Sequence, residues 1–245
     1  VNPIILIPAR LASTRLPNKP LADIAGLPMI VHVLNRAREA ALGPIAIACA
    51  DPSIAEAVTA AGGHAILTDP ALPSGSDRIH AALQRLDPGG AHDIIINLQG
   101  DLPSIPPDFL SAVLRPLANP KFDIATLVAP ITTPEEAASP SVVKCACAFA
   151  PGTTIAPALY FSRSKIPSGD GPLWHHIGIY AYRRAALEKF VSLPESPLEA
   201  RENLEQLRAL EAGLSIGAAQ VAFAPFGVDT PADLEHARKI LEPRP

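Results

Sequence analysis

Asp93-Ile94-Ile95-Ile96-Asn97-Leu98-Gln99 (DIIINLQ) is the most strand-like run in the chain, and Gly100-Asp101 follows it directly. Three β-branched residues in a row are stiff at χ1 and suit a pleated strand. No polar residue alternates with them, the pattern of a strand covered on both faces. The same continuous pattern occurs upstream at residues 3–8 (PIILIP), 45–50 (IAIACA) and, more briefly, 65–67 (AIL). Helical patterns lie between these runs. Residues 28–42 place Ile30, Val33, Leu34 and Ala37 on one face. Asp51-Pro52 reads as an N-cap followed by proline at the first helical position, with Gly62-Gly63 ending that helix, and residues 76–86 form a third. Strands separated by helices of this length predict βαβ units, hence an α/β fold with a mostly parallel sheet flanked by helices.

Past this region the character changes. Residues 124–129, 142–149, 158–162 and 178–183 are strand-like with few helices between them, and helices return at 197–212 and 231–241. This predicts a mixed sheet with a strand-rich extension in the second half. No repeat, low-complexity tract or linker divides the 245 residues, so a single domain is expected, with the two halves sharing one core.

Composition narrows the classes of function. The net charge of -4 and the lack of basic runs argue against nucleic-acid binding, so any polyanion must be small and held locally. Although 48% of residues are hydrophobic, no run approaches the roughly 20 apolar residues of a membrane span. The opening run has no charged segment before an apolar one, so no signal peptide is expected and the expected location is cytoplasmic. Cys49, Cys145 and Cys147 are too few and too poorly spaced for a disulfide framework or zinc site and read as small core residues.

The first strand runs into Pro8-Ala9-Arg10-Leu11-Ala12-Ser13-Thr14-Arg15-Leu16-Pro17-Asn18-Lys19-Pro20. Ligands of open parallel sheets bind beyond the carboxyl ends of the strands. Arg10, Arg15 and Lys19 therefore project where a ligand sits, with Ser13, Thr14 and backbone amides as neutral donors. Without G-x-x-x-x-G-K-[ST] or G-x-G-x-x-G, neither an ATPase P-loop nor a dinucleotide fold is supported, and a phosphate-gripping loop remains. Asp101, at the end of the strongest strand, suits Mg²⁺ as a hard oxygen ligand, or else belongs to a simple Gly-Asp turn. Thr230-Pro231-Ala232-Asp233 is a helix start, so Asp229 has a role in capping as its alternative. Ser74 and Ser76 likewise suit helix capping.

Taken in order, Pro8-Ala9-Arg10-x-x-Ser13-Thr14-Arg15-Leu16-Pro17-x-Lys19-Pro20-Leu21, Gly26-x-Pro28-Met29-Ile30, Ser74-Gly75-Ser76-Asp77-Arg78 and Asn97-Leu98-Gln99-Gly100-Asp101-x-Pro103 form a recognisable series. Tyr160-Phe161-Ser162-Arg163, His176-x-Gly178-Ile179-Tyr180, Ser196-Pro197-Leu198-Glu199, Glu205-Gln206-Leu207-Arg208 and Gly227-Val228-Asp229-Thr230-Pro231 continue it. The series closely resembles the bacterial 3-deoxy-manno-octulosonate (Kdo) cytidylyltransferases. The resemblance spans nearly the whole chain and implies a Rossmann-like, nucleotidyltransferase-type fold. It implies transfer of CMP from CTP to Kdo, or to a related nonulosonate or amino-Kdo analogue, with release of pyrophosphate, for lipopolysaccharide synthesis. A nucleotide-binding regulator without turnover is the reading from another class.

The resemblance also implies a set of site residues. Catalysis falls to Arg10, Lys19, Asp101 and Asp229, with Mg²⁺ on Asp101 and Asp229. The nucleotide is expected at Ala9, Arg10, Ser13, Arg15, Lys19, Ser74, Gly75, Arg78 and Gln99. The 2-keto-3-deoxy sugar acid is expected at Arg163, His176, Tyr180, Glu202 and Gln206, the last two sharing a face of the 197–212 helix at four-residue spacing. Glu199 reads as the capping-box partner of Ser196. Residues from about 1 to 130 are expected to bind nucleotide, and those from about 131 to 230 to bind the acceptor and form a homodimer. Two positions depart from the family pattern. His175 stands where many members carry arginine, and Asn18 where glycine is common.

Overall fold

The structure is a computed structural model that describes residues 1–12 and 15–242. Its chain forms two compact units, one from residues 1–110 and 225–245 and the other from residues 111–224.

The first unit is built on the apolar runs read above. Strand β1 (Pro3–Ala9) is followed by a small β2 (Asp23–Ile24) and β3 (Leu27–Pro28) ribbon and then helix α1 (Met29–Ala40). Strand β4 (Ile45–Cys49), helix α2 (Pro52–Ala60), strand β5 (Ala65–Leu67), helix α3 (Gly75–Leu86) and strand β6 (Ile94–Asn97) complete the alternation. The strands lie in the order β5-β4-β1-β6, every neighbour parallel. Ile4 to Ile7 of β1 and Ile94 to Ile96 of β6 are at most 3% exposed, which accounts for the absence of polar alternation. Each such side chain contributes about 1.5–3 kcal/mol on burial, so these two strands set the register.

Helix α4 (Pro107–Ala112) carries the chain into the second unit. There follow β7 (Ile124–Pro130), α5 (Pro134–Ala138), β8 (Lys144–Ala146), β9 (Ile155–Pro157), β10 (Tyr160–Ser162) and the ten-residue β11 (Trp174–Arg183). Then come α6 (Arg184–Ser192), α7 (Pro197–Glu202), α8 (Gln206–Glu211) and β12 (Ile216–Gln220). β7 pairs antiparallel with β11 and parallel with β12, β12 pairs antiparallel with β9, and β8 pairs antiparallel with β10 and β11. This is the strand-rich extension, and the architecture is mixed α/β.

The single helix read over 197–212 is two. Asn203 ends α7 in the left-handed region, φ 53° and ψ 49°, which asparagine tolerates better than most residues. Glu202 and Gln206 therefore lie on different helices, and the shared face inferred from their spacing does not form.

The chain then returns to the first unit as α9 (Pro231–Leu241). Leu234 and Ala237 of this helix pack with Leu16, Ile24, Met29 and Val228. That cluster ties the far end of the phosphate loop to the α9 entry. No helix among the described residues is long and apolar enough to cross a membrane.

Candidate active site

A cleft of about 430 Å³ opens in the first unit beyond the carboxyl ends of β1 and β6. The fold brings to it ten of the residues singled out by sequence: Ala9, Arg10, Arg15, Lys19, Ser74, Gly75, Arg78, Gln99, Asp101 and Asp229. Ser13 lies outside the described residues. Four cationic side chains meet two carboxylates here, an excess of positive charge suited to a polyphosphate.

Backbone geometry places each group. β1 ends at Ala9, whose carbonyl accepts from the Ala50 N–H at 3.1 Å, and the Leu11 N–H donates to Asp51 Oδ2 at 2.9 Å. The loop thus leaves the sheet at a fixed point, with Arg10 exposed above it. It closes at Asn18, which has φ 56° and ψ 26° immediately before a short 3-10 turn over Lys19–Leu21. A left-handed residue at this position is where glycine is at ease and asparagine is tolerated. The Asn18 departure therefore preserves the turn that aims Lys19. Asp101 is set by Gly100, where a Cβ would lie 3.0 Å from the Pro8 carbonyl oxygen and 3.3 Å from Ile30 Cδ1. A side chain here would crowd the end of β1, and glycine lets the loop lie against it.

The two carboxylates converge on one cation. Lys19 Nζ lies 2.9 Å from Asp101 Oδ2 and 3.0 Å from Asp229 Oδ1, and Arg15 Nη2 lies 3.2 Å from Asp229 Oδ2. Burial acts to lower the Lys19 pKa, but the attraction and hydrogen bonds of Asp101 and Asp229 outweigh it and the pKa is raised. The ammonium is therefore charged at neutral pH.

The alternative roles for Asp229 and Ser74 resolve differently. Thr230 and Asp233 form the capping box of α9, and Asp229 gives only its backbone N–H to Asp233 Oδ2 at 3.1 Å. Its carboxylate is left for the cleft. The Val228 N–H donates to the Asp101 carbonyl at 2.9 Å, fixing the two acidic segments side by side. Ser74 does cap α3: its hydroxyl accepts from the Asp77 N–H at 3.1 Å and donates to Asp77 Oδ2 at 2.6 Å. It lines the cleft from that position, so the helix N-terminus, with its partial positive charge, faces the same space.

Arg78, in the first turns of α3, is 2% exposed. Nη1 donates to Thr68 Oγ1 at 2.6 Å and to the Asp69 carbonyl at 3.1 Å, while Nη2 is buried with no hydrogen-bond partner among the described residues. Burial first, and then Arg10, lower its pKa. A buried donor left unmade costs about 1–3 kcal/mol, so Nη2 is an obvious place for a ligand acceptor. Gln99 turns its amide toward Asn97 Oδ1 at 3.3 Å.

The second unit holds the residues expected on the sugar side, and most are already engaged. Arg163 donates from Nε to the Glu202 carbonyl at 2.9 Å, from Nη1 to Pro140 O at 3.2 Å and from Nη2 to Asn203 O at 3.3 Å. It closes the carboxyl end of α7, where helix carbonyls lack partners. Glu202 accepts from the Ser162 hydroxyl at 2.7 Å and the Arg163 N–H at 3.0 Å. His176 is 8% exposed, with its ring 4.7 Å from Phe161 and 5.5 Å from the half-buried Tyr180. Gln206 is 7% exposed, and its Nε2 has no partner among the described residues. His175, the second departure, points Nδ1 at Glu136 Oε1, 2.8 Å away.

Thr126 Oγ1 lies 3.1 and 2.9 Å from the carbonyls of Ile177 and Ile179 and 3.0 Å from His176 Nε2. Its one hydrogen goes to a carbonyl, so the His176 ring donates from Nε2. Burial, helped by His175, lowers its pKa to about 3. In the unfolded chain the ring titrates near 6.5, so the unfolded state takes the proton first as pH falls. The stability present above about pH 6.5 is thus lost on descending toward about pH 3, by up to roughly 1.4 kcal/mol per unit. His176→Gln should remove this part of the acid dependence, measured as urea midpoints across that window. An equal slope in the variant would assign it to other groups.

A family description named cytidylyltransferase matches residues 4–216. The 3-deoxy-manno-octulosonate cytidylyltransferase of Rhodospirillum centenum is 61% identical over 243 residues, covering 99% of this chain and 95% of that protein. The protein of the same name from Paramagnetospirillum magneticum is 55% identical over 242 residues, covering 99% and 98%. A solved structure of CMP:2-keto-3-deoxy-manno-octonic acid synthetase complexed with CTP superposes with a TM-score of 0.89 at 42% identity, covering 98% of each chain. With the cleft and its charges arranged as described, these likenesses place the chain: it belongs to the cytidylyltransferase family and, within it, to the 3-deoxy-manno-octulosonate cytidylyltransferases.

Proposed function

We propose that this protein transfers CMP from CTP to 3-deoxy-D-manno-octulosonate, giving CMP-Kdo and pyrophosphate for lipopolysaccharide synthesis. The observation that carries the reading is the convergence of Lys19, Asp101 and Asp229, with Lys19 Nζ 2.9 and 3.0 Å from the two carboxylates, in a cleft also lined by Arg10 and Arg15. The anomeric hydroxyl attacks the α-phosphorus of CTP, the bond to the bridging oxygen breaks, and pyrophosphate leaves with its electrons. Such a transfer depends on positioning and charge neutralisation. Arg10, Arg15 and Lys19 stabilise the triphosphate and the departing pyrophosphate. The α3 N-terminus, through Ser74 and Gly75, and the free Nη2 of Arg78 add donors to the nucleotide, with Ala9 and Gln99 shaping the cleft.

Two carboxylates meeting at one cationic position fit Mg²⁺, which takes hard oxygens and is usually held by one or two carboxylates plus phosphates. Asp101 and Asp229 would hold it. When bound, it neutralises phosphate charge and acidifies an attacking hydroxyl.

The acceptor falls to the second unit. Gln206 Nε2, buried and without a partner among the described residues, is the donor most available for a sugar hydroxyl, and Tyr180, whose ring lies 5.5 Å from that of His176, is assigned to the same acceptor. Arg163, Glu202 and His176 shape that site through the contacts already described. The protein acts as a homodimer in the cytoplasm, and Leu159, 68% exposed beside β10, offers an apolar contact for the second copy.

Pyrophosphate release with CTP, Mg²⁺ and Kdo together is the test, with a sialic-acid-like nonulosonate and an amino-Kdo analogue run beside Kdo. Release with Kdo at the highest kcat/KM is expected. No release with any acceptor, alongside CTP binding, would point instead to a regulator without turnover.

A further inference from the structure

Asp101 and Asp229 each lie within ion-pair distance of the same Lys19 nitrogen, so the two carboxylates are neighbours. Two carboxylates held this close repel each other unless a cation lies between them. Lys19 supplies that cation from a side chain 17% exposed. Of the two aspartates, Arg15 pairs with Asp229 among the described contacts, from a side chain 65% exposed, and solvent weakens its share.

We propose that Lys19 is a built-in placeholder. It holds Asp101 and Asp229 together while no metal is bound, and it must leave them before they take a divalent cation. This rests on the reading that the two aspartates hold Mg²⁺. A metal ion and the Lys19 ammonium cannot occupy the same position between the carboxylates. Once displaced, the ammonium remains in a cleft whose other partners are Arg10, Arg15 and Arg78, so it needs a new anion. The phosphates of the incoming nucleotide supply it. Phosphate therefore draws Lys19 off the aspartates and raises their affinity for metal, and by linkage metal raises the affinity for nucleotide by the same factor.

The test is Mn²⁺ binding to the nucleotide-free protein, read by electron paramagnetic resonance. Lys19→Gln should bind Mn²⁺ about tenfold more tightly than the parent, since a competing charge a few ångströms away is gone. Arg10→Gln removes the same charge from the same cleft without touching either aspartate, and it should change the affinity far less. An equal gain in both variants, or none in Lys19→Gln, would overturn the placeholder. In the Lys19→Gln background, Asp101→Asn should abolish the tight binding. If it does not, the metal reading fails and takes the placeholder with it. If it does while Lys19→Gln alone gains nothing, only the placeholder fails. In the unaltered sequence, reductive ¹³C-methylation gives Lys19 a resonance, assigned by its loss in Lys19→Gln. Mg²⁺ should shift that resonance, and a signal indifferent to Mg²⁺ would also refute displacement.

Discussion

Asp101→Asn is expected to lower kcat by about 10²–10⁴ while leaving the fold intact, read as pyrophosphate release with CTP, Mg²⁺ and Kdo. The substitution keeps the size and hydrogen-bonding capacity of the side chain and removes only its charge. That charge is one of the two that Lys19 contacts, at 2.9 Å, and in the proposed function one of the two that would hold Mg²⁺. Stability should change little, because the Asp101 side chain is 33% exposed and such pairs contribute only about 0–1 kcal/mol. The split between lost turnover and retained melting temperature is the signature. An unchanged rate would remove Asp101 from the metal assignment, and a collapsed melting temperature would make its role structural.

The largest effect on stability should come from the second unit. Glu199 receives Arg208 Nε on Oε2 at 2.7 Å and Arg208 Nη2 on Oε1 at 2.5 Å, while the Ser196 N–H donates to it at 3.0 Å. The two side chains are 9% and 13% exposed. Burial favours the neutral acid, but the hydrogen bond and charge of Arg208 and the Ser196 N–H prevail, and the carboxyl pKa is lowered. Glu199→Ala leaves the Arg208 charge buried without its carboxylate and breaks the capping box of α7. Removing one member of such a pair costs about 3–5 kcal/mol, to be read as a lower urea midpoint. Glu199→Gln keeps an acceptor for Ser196 and should lose less. Equal losses would show that the charge, not the capping geometry, matters.

Much of this was legible from the residues themselves. Continuous β-branched runs such as Ile94 to Ile96 cannot alternate and so had to be covered on both faces, which fixed a parallel α/β unit. Charges immediately after those runs, Arg10 and Asp101, had to project at the strand ends, and they line the cleft. What sequence did not reveal depends on contacts between distant segments. An arginine near the start of a helix carries no sequence mark of burial, and Arg78 is buried through its contacts with Thr68 and Asp69, which precede that helix. Arg163 looked free for an acceptor carboxylate because the carbonyls it meets belong to residues up to 40 positions away. Residues 197–212 carry helix formers throughout, and only the left-handed backbone of Asn203 breaks the run. The Ser-Pro-Leu-Glu spacing marks Glu199 as a cap, whereas its bidentate partner Arg208 is brought in by the next helix.

The return of α9 to the first unit has a consequence for how the protein is made. Residues 111–224 are synthesised as one uninterrupted stretch, whereas the first unit waits for residues 225 onward. A nascent chain halted before Asp229 carries Lys19 and Asp101 but lacks the second carboxylate and the Leu234 and Ala237 contacts that secure the loop. The segment from residue 225 onward therefore completes both the packing of that unit and the pairing of Lys19 with its second carboxylate.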